Sequence, residues 1–137
     1  MIREEAQQAW GKIVEVGFSD YEKLTREQRI WFNVEPLVTD GLWDHYMNYG
    51  ADKNADTIAD LEYLGFDSVS KQFNAFNKKY FPNGVPKGPD VRQDELESFS
   101  EDQLEKDIEE LDENFWEISD DLESALLDHI NRTGIGQ

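Results

Sequence analysis

The stretch Ser100-Glu-Asp-Gln-Leu104-Glu-Lys-Asp-Ile108-Glu-Glu-Leu111-Asp-Glu-Asn-Phe115-Trp-Glu-Ile118, continued by Leu122 and Leu126, decides the fold. Its apolar residues recur at steps of three and four, the period of an α-helix with one buried stripe. Most of its other positions are carboxylates. Residues 90–128 hold 17 Asp/Glu and two bases, Arg92 and Lys106. A solvated acidic tail would lack the stripe. The stretch reads as a folded helical surface that carries an anionic field.

Local signals set its ends. Ser100 and Gln103 have the spacing of a capping box, and Phe99 is placed to staple onto Leu104. Glu101 and Asp102 suit the positive end of a helix. Ser119-Asp120-Asp121 is a second start signal, so the acidic region over 99–134 reads as a pair of helices ending at Gly134.

Upstream the period stays helical and almost nothing alternates. A first helix is expected over about 3–16, with Ala6, Trp10, Ile13 and Val14 inward. Thr25 and Gln28 form a capping box for a second, which carries Ile30, Val34, Leu37 and Val38. Pro36 lacks a helical donor and predicts a kink or restart. Gly41 leads into a short aromatic segment, Trp43 to Tyr49. A third helix starts near Asp52 or Asn54, carries Ile58, Leu61 and Leu64, and closes at Gly65 with Phe66 as its apolar contact. Asp67 is expected to cap the next, whose stripe is Val69, Phe73, Phe76 and Tyr80. Residues 82–98 then read as a Pro/Gly-rich loop, since three of the four prolines fall within it close together. The sum is an all-α, compact bundle of about six helices in one domain.

The charge divides unevenly. Residues 1–89 carry 14 acids and 10 bases; residues 90–137 carry 17 and 3. A field this negative points to a basic partner and away from direct contact with nucleic acid or anionic lipid. The 17 aromatic residues argue against disorder. There is no cysteine, hence no disulfide framework or thiolate chemistry, which fits a reducing compartment. The charged N-terminus has no apolar core of a signal peptide, and no run reaches the ~18 apolar residues of a membrane span. A cytoplasmic protein is expected.

No constellation for chemistry stands out. Asp52-Lys-Asn54-Ala-Asp56 resembles the start of a calcium loop, but Thr57 stands where the turn needs glycine and Tyr63 where a bidentate glutamate is needed. The segment fits a helix start better. His45 and His129 have no zinc-ligand spacing, and His129 is expected half-buried near the surface. No catalytic, metal or cofactor residue is assigned, and no enzyme is expected. Among 31 acids a carboxylate pair at catalytic spacing arises by chance, so a carboxylate-dependent enzyme is only the third reading.

The acidic helix gives a partner-binding expectation. With the stripe inward, the far side at ~100° per residue holds Asp102, Lys106, Glu109, Glu110, Glu113 and Glu117. Glu105, Asp120 and Asp121 extend the candidate face. Lys106 is four residues from both Asp102 and Glu110 and is expected to pair with them. Residues 101–118 carry nine acids and one base, one net charge per ~3.4 Å of rise, close to the phosphate spacing along one DNA strand. Trp116 lies ~120° from the stripe centre. It is expected to pack under the Pro-rich loop or to stand partly exposed as an interface anchor. Trp31, Phe32, Trp43, Tyr46 and Tyr49 read as core or loop packing.

Several segments carry a resemblance: Leu24-Thr-Arg-Glu-Gln-Arg-Ile-Trp-Phe-Asn33, Gly41-Leu-Trp-Asp-His-Tyr46-Met-Asn48, Ala55-Asp-Thr-Ile58 through Leu64-Gly65, Phe81-Pro-Asn-Gly-Val-Pro86, and Leu111-Asp-Glu-Asn-Phe115 with Asp121-Leu122 and Ile130. In this order, over about residues 20–132, the chain resembles a bacterial DNA-mimic protein family of small acidic all-helical domains, otherwise described as a domain of unknown function. Asp40, Leu42, Asp44 and His45 depart from that family's Gly-Gly-Phe-x-Gln-Tyr-Phe-type segment. The resemblance implies a non-enzymatic protein that imitates nucleic-acid charge and occludes the DNA- or RNA-binding surface of a basic partner, such as a transcription factor or nucleoid protein. The family's namesake is a dimer, so the resemblance also raises self-association of this chain. The alternative with the same electrostatics is an immunity-type protein that neutralises a toxin such as a nuclease.

Overall fold

The computed structural model describes residues 6–137. Among them are seven α-helices and no strand: α1 (Gln7–Ser19), α2 (Arg26–Asp40), α3 (Leu42–Met47), α4 (Asn54–Tyr63), α5 (Asp67–Tyr80), α6 (Pro89–Leu96) and α7 (Glu101–Thr133). Single 3-10 turns at Tyr21–Lys23 and Tyr49–Lys53 join α1 to α2 and α3 to α4. The expected all-α class holds. The first part of the expected first helix lies outside the described residues.

Helix α2 is the centre of the bundle, because three of its residues at helical spacing are fully enclosed: Trp31, Val34 and Leu37. It packs on α1, α3, α4 and α7. Helix α7 completes the core with Leu111, Phe115, Leu122, Leu126 and Ile130, and lies against α2, α3 and α5. The stripe assigned to α5 is buried throughout, at Val69, Phe73, Phe76 and Tyr80.

The cap signals divide. Thr25 and Gln28 form the full reciprocal box, at 3.2 and 2.9 Å. Gly65, at φ +92°, closes α4 as expected: its N–H reaches the Glu62 carbonyl, and the Phe66 N–H reaches Leu61. Asp67 is instead the first residue of α5, with no capping bond from the residue before it. Ser100 precedes α7 without a side-chain cap, and the reciprocal half of the box is also absent, since the Gln103 amide turns forward to Asp107 at 3.1 Å. Phe99 meets the Tyr80 ring edge-on, with centroids 4.8 Å apart. Helix α2 runs through Pro36 without a restart.

Two boundaries change. The loop expected over 82–98 contains α6, which Pro89 opens at a position where a missing donor costs nothing. Only Arg92 and Leu96 of that helix are buried. The expected acidic pair is one 33-residue helix. Ser119 does not start a new helix; its hydroxyl donates back to the Trp116 carbonyl at 3.2 Å.

Candidate partner-binding face

Because α7 is unbroken, its side chains keep one angular order over ~50 Å of rise. Leu111, Phe115, Leu122, Leu126 and Ile130 are buried, Leu104, Ile108 and Ile118 of the expected stripe are only partly buried against the core, and the carboxylates divide by where they stand relative to that stripe. Asp107 and Asp112 flank the stripe and are engaged inside the protein. Asp107 accepts from Lys79 at 2.6 Å and from the Tyr80 hydroxyl. Those two hydrogen bonds hold its carboxyl below the usual carboxylate range. Asp112 accepts from the Leu42 and Trp43 N–H groups at 3.0 and 3.2 Å, so it caps the start of α3 from another helix.

All eight residues expected at the partner face are exposed: Asp102, Glu105, Glu109, Glu110, Glu113, Glu117, Asp120 and Asp121. Lys106 makes no ion pair among the described residues, contrary to the expected pairing with Asp102 and Glu110; it is Lys79 of α5 that pairs with an acid of this helix, Asp107. Removing Asp107 and Asp112 from the surface tally and extending the face through Asp121 leaves nine exposed acids and Lys106 over 101–121. That is one net charge per roughly 4 Å of rise.

The other base of the acidic region is internal. Arg92 is fully buried. Its guanidinium donates to the Tyr46, Pro86 and Asn48 carbonyls and to Asp52 Oδ1 at 2.8 Å. Burial raises the Asp52 pKa, but the Arg92 contact and the Gly88 N–H outweigh it and hold the carboxyl below its ordinary range. The calcium-like segment is thus engaged elsewhere: Asp52 on Arg92, Asn54 on His45 and Asn77, Asp56 on Tyr21.

Trp116 does not pack under the Pro-rich loop. It sits over Gly41, where a Cβ would stand 2.9 Å from its ring. Gly41 also has φ +91°, so the junction of α2 and α3 needs glycine twice over. Phe115 holds the indole edge-on, at 5.3 Å between centroids. Trp116 is nonetheless 47% exposed, whereas Trp31 is enclosed. Of the expected aromatic packing, Trp31 and Tyr46 are core, Phe32 and Trp43 are half-buried, and Tyr49 is exposed.

The histidines are both interior. His45 Nε2 accepts from the Asn54 amide at 3.0 Å, and burial lowers its pKa to about 3. His129 is fully buried rather than half-buried; its Nε2–H donates to the Glu27 carbonyl at 3.1 Å.

The most perturbed carboxylate lies away from α7. Asp60 is buried beneath α2, accepts from Asn33 at 3.0 Å, and has Asp56 one turn before it. Burial pushes its pKa up to about 6. A carboxyl with a raised folded pKa opposes folding once it ionises, so stability falls as pH rises from about 4 to above 6. Asp60→Asn should therefore stabilise the protein at pH 8 by ~2 kcal/mol and have little effect near pH 4, read by urea unfolding at the two pH values. An equal effect at both would show that ionisation is not the cause.

The surface charge gives a second expectation. A net charge of −18 repels itself, and about 0.1 M salt screens beyond ~10 Å. Added sodium chloride should raise the melting temperature. A melting point that stays put or falls would mean that the acids are compensated locally.

A family model described as DMP19-like protein matches residues 22–133, most of the chain and nearly the span of the sequence resemblance. No curated protein and no solved structure matches.

Proposed function

We propose, from the premise that the chain belongs to the DMP19-like protein family, that it is a non-enzymatic acidic binding protein that stands in for nucleic acid. The observation that carries this reading is the continuous α7, with nine exposed carboxylates and one lysine along 101–121. A single rod holds those groups at fixed rise and angle, as a phosphate backbone holds its charges. Carboxylates accept from lysine and arginine as phosphate oxygens do, with charge-assisted hydrogen bonds. The field also speeds encounter with a basic surface. The partner is then a basic, DNA- or RNA-binding protein, and binding keeps nucleic acid off its surface. The place for such a partner is the cytoplasm; no helix among the described residues is long and apolar enough to cross a membrane.

The test is competition. A basic protein captured from the native host is purified, loaded with labelled duplex and titrated with this protein. Displacement of the duplex in proportion to complex formation is the expected result. A stable ternary complex would rule out occlusion. Capture of a toxin, neutralised on binding, would replace this reading with the immunity one.

A further inference from the structure

We propose that Trp116 is the arginine-receiving anchor of the acidic face, an apolar plate on which a partner's guanidinium stacks while neighbouring carboxylates take its N–H groups. This rests on the reading that α7 meets a basic partner, and adds which residue type that partner presents.

Three observations carry it. The first is placement. At ~100° per residue, Glu105, Glu109, Glu113 and Asp120 all project within about 60° of Trp116. All four are exposed, and Glu113 and Asp120 lie one turn to either side of the indole. The second is support. Phe115 meets the ring edge-on and the bare backbone of Gly41 lies against it, so the indole rests on the protein surface rather than standing free in solvent. The third is access: Trp116 is 47% exposed, so the indole is open to a stacking cation.

An apolar plate inside a carboxylate collar selects its occupant by charge. A neutral apolar group would desolvate the collar, and an anion would be repelled. An ammonium remains strongly hydrated as a point charge. A guanidinium is planar and weakly hydrated; it stacks on tryptophan and offers N–H groups outward in its own plane. That plane meets the carboxylates one turn away on each side.

The test uses the full chain and two probes, nona-arginine and nona-lysine, at near-physiological salt. The readout is the indole N–H signals of the 15N-labelled protein, with Trp116 assigned through Trp116→Phe. Expected are a shift of the Trp116 signal with nona-arginine and a preference for arginine over lysine of about fivefold or more. The preference should fall below about twofold in Trp116→Leu and lie between in Trp116→Phe, which keeps an aromatic face beneath the cation. An unmoved Trp116 signal, or an undiminished preference in Trp116→Leu, would overturn the anchor. If the peptide results hold but the competition above yields a ternary complex, occlusion fails and the anchor stands. If the duplex is displaced but Trp116→Leu keeps the preference, the anchor alone fails.

Discussion

Replacing Arg92 with leucine will destabilise the fold by about 3–5 kcal/mol, because it strips a fully buried donor from three carbonyls and from the half-buried Asp52 carboxylate. The guanidinium serves four acceptors from three parts of the chain: Tyr46 and Asn48 around the end of α3, Pro86 in the loop before α6, and Asp52 in the turn before α4. Leucine fills part of the volume but leaves three carbonyls without that donor and Asp52 facing an apolar side chain. Arg92→Lys keeps the charge, yet a compact ammonium cannot span the fork, so its loss should be smaller but clear. Pairing Arg92→Leu with Asp52→Leu should recover part of the loss by removing the orphaned carboxylate. Urea unfolding gives the sizes, with a melting point lower by on the order of 10 °C for the single leucine variant. A midpoint equal to the parent's would mean that α6 and its loop are not held by this residue.

Arg92 also marks what sequence patterns do not reveal. It stands in a segment with two inward residues and a proline at its start, so α6 leaves almost no periodic signal and reads as loop. Where a helix has a full stripe, as α5 does, residue identity and inward face are both legible. Backbone-local chemistry is legible too: the Thr25 and Gln28 box and the Gly65 closure need only residues within one turn.

Competing local signals are harder to rank. Ser119-Asp120-Asp121 has the chemistry of a helix start, but Ile118 and Leu122 keep the stripe in phase across it. Burial of Leu122 and Leu126 favours continuity, and the serine hydroxyl finds a carbonyl within the same helix. At Ser100 the position before the helix is readable while the reciprocal box is not, because the Gln103 side chain finds Asp107 instead. The face itself was legible as the side opposite the stripe. Which acids it excludes was not, since Asp107 and Asp112 acquire their partners from α5 and α3, 27 and 70 residues away along the chain. A pattern on one helix gives angles and no neighbours.

Reversing Glu109 and Glu113 to lysine will weaken the partner complex by roughly 100-fold near physiological salt, at about 1.5 kcal/mol for each charge-assisted contact removed. The slope of affinity against salt should flatten at the same time, since fewer ions are released when fewer charge contacts form. The fold should survive, because both residues are exposed and project away from the buried stripe. Net charge alone could weaken binding, so the decisive comparison is Glu15→Lys with Glu62→Lys. That pair makes the same change in total charge at exposed positions on α1 and α4. If the face is specific, the α7 reversal abolishes competition with duplex while the control costs only a few-fold. Equal losses would assign the effect to overall charge and remove the case for mimicry by layout. No loss in either would leave α7 as a solubilising surface. The ordering follows from distance: beyond a Debye length of ~10 Å a reversed charge is screened, while at the contact it faces the partner's own cation with little water between.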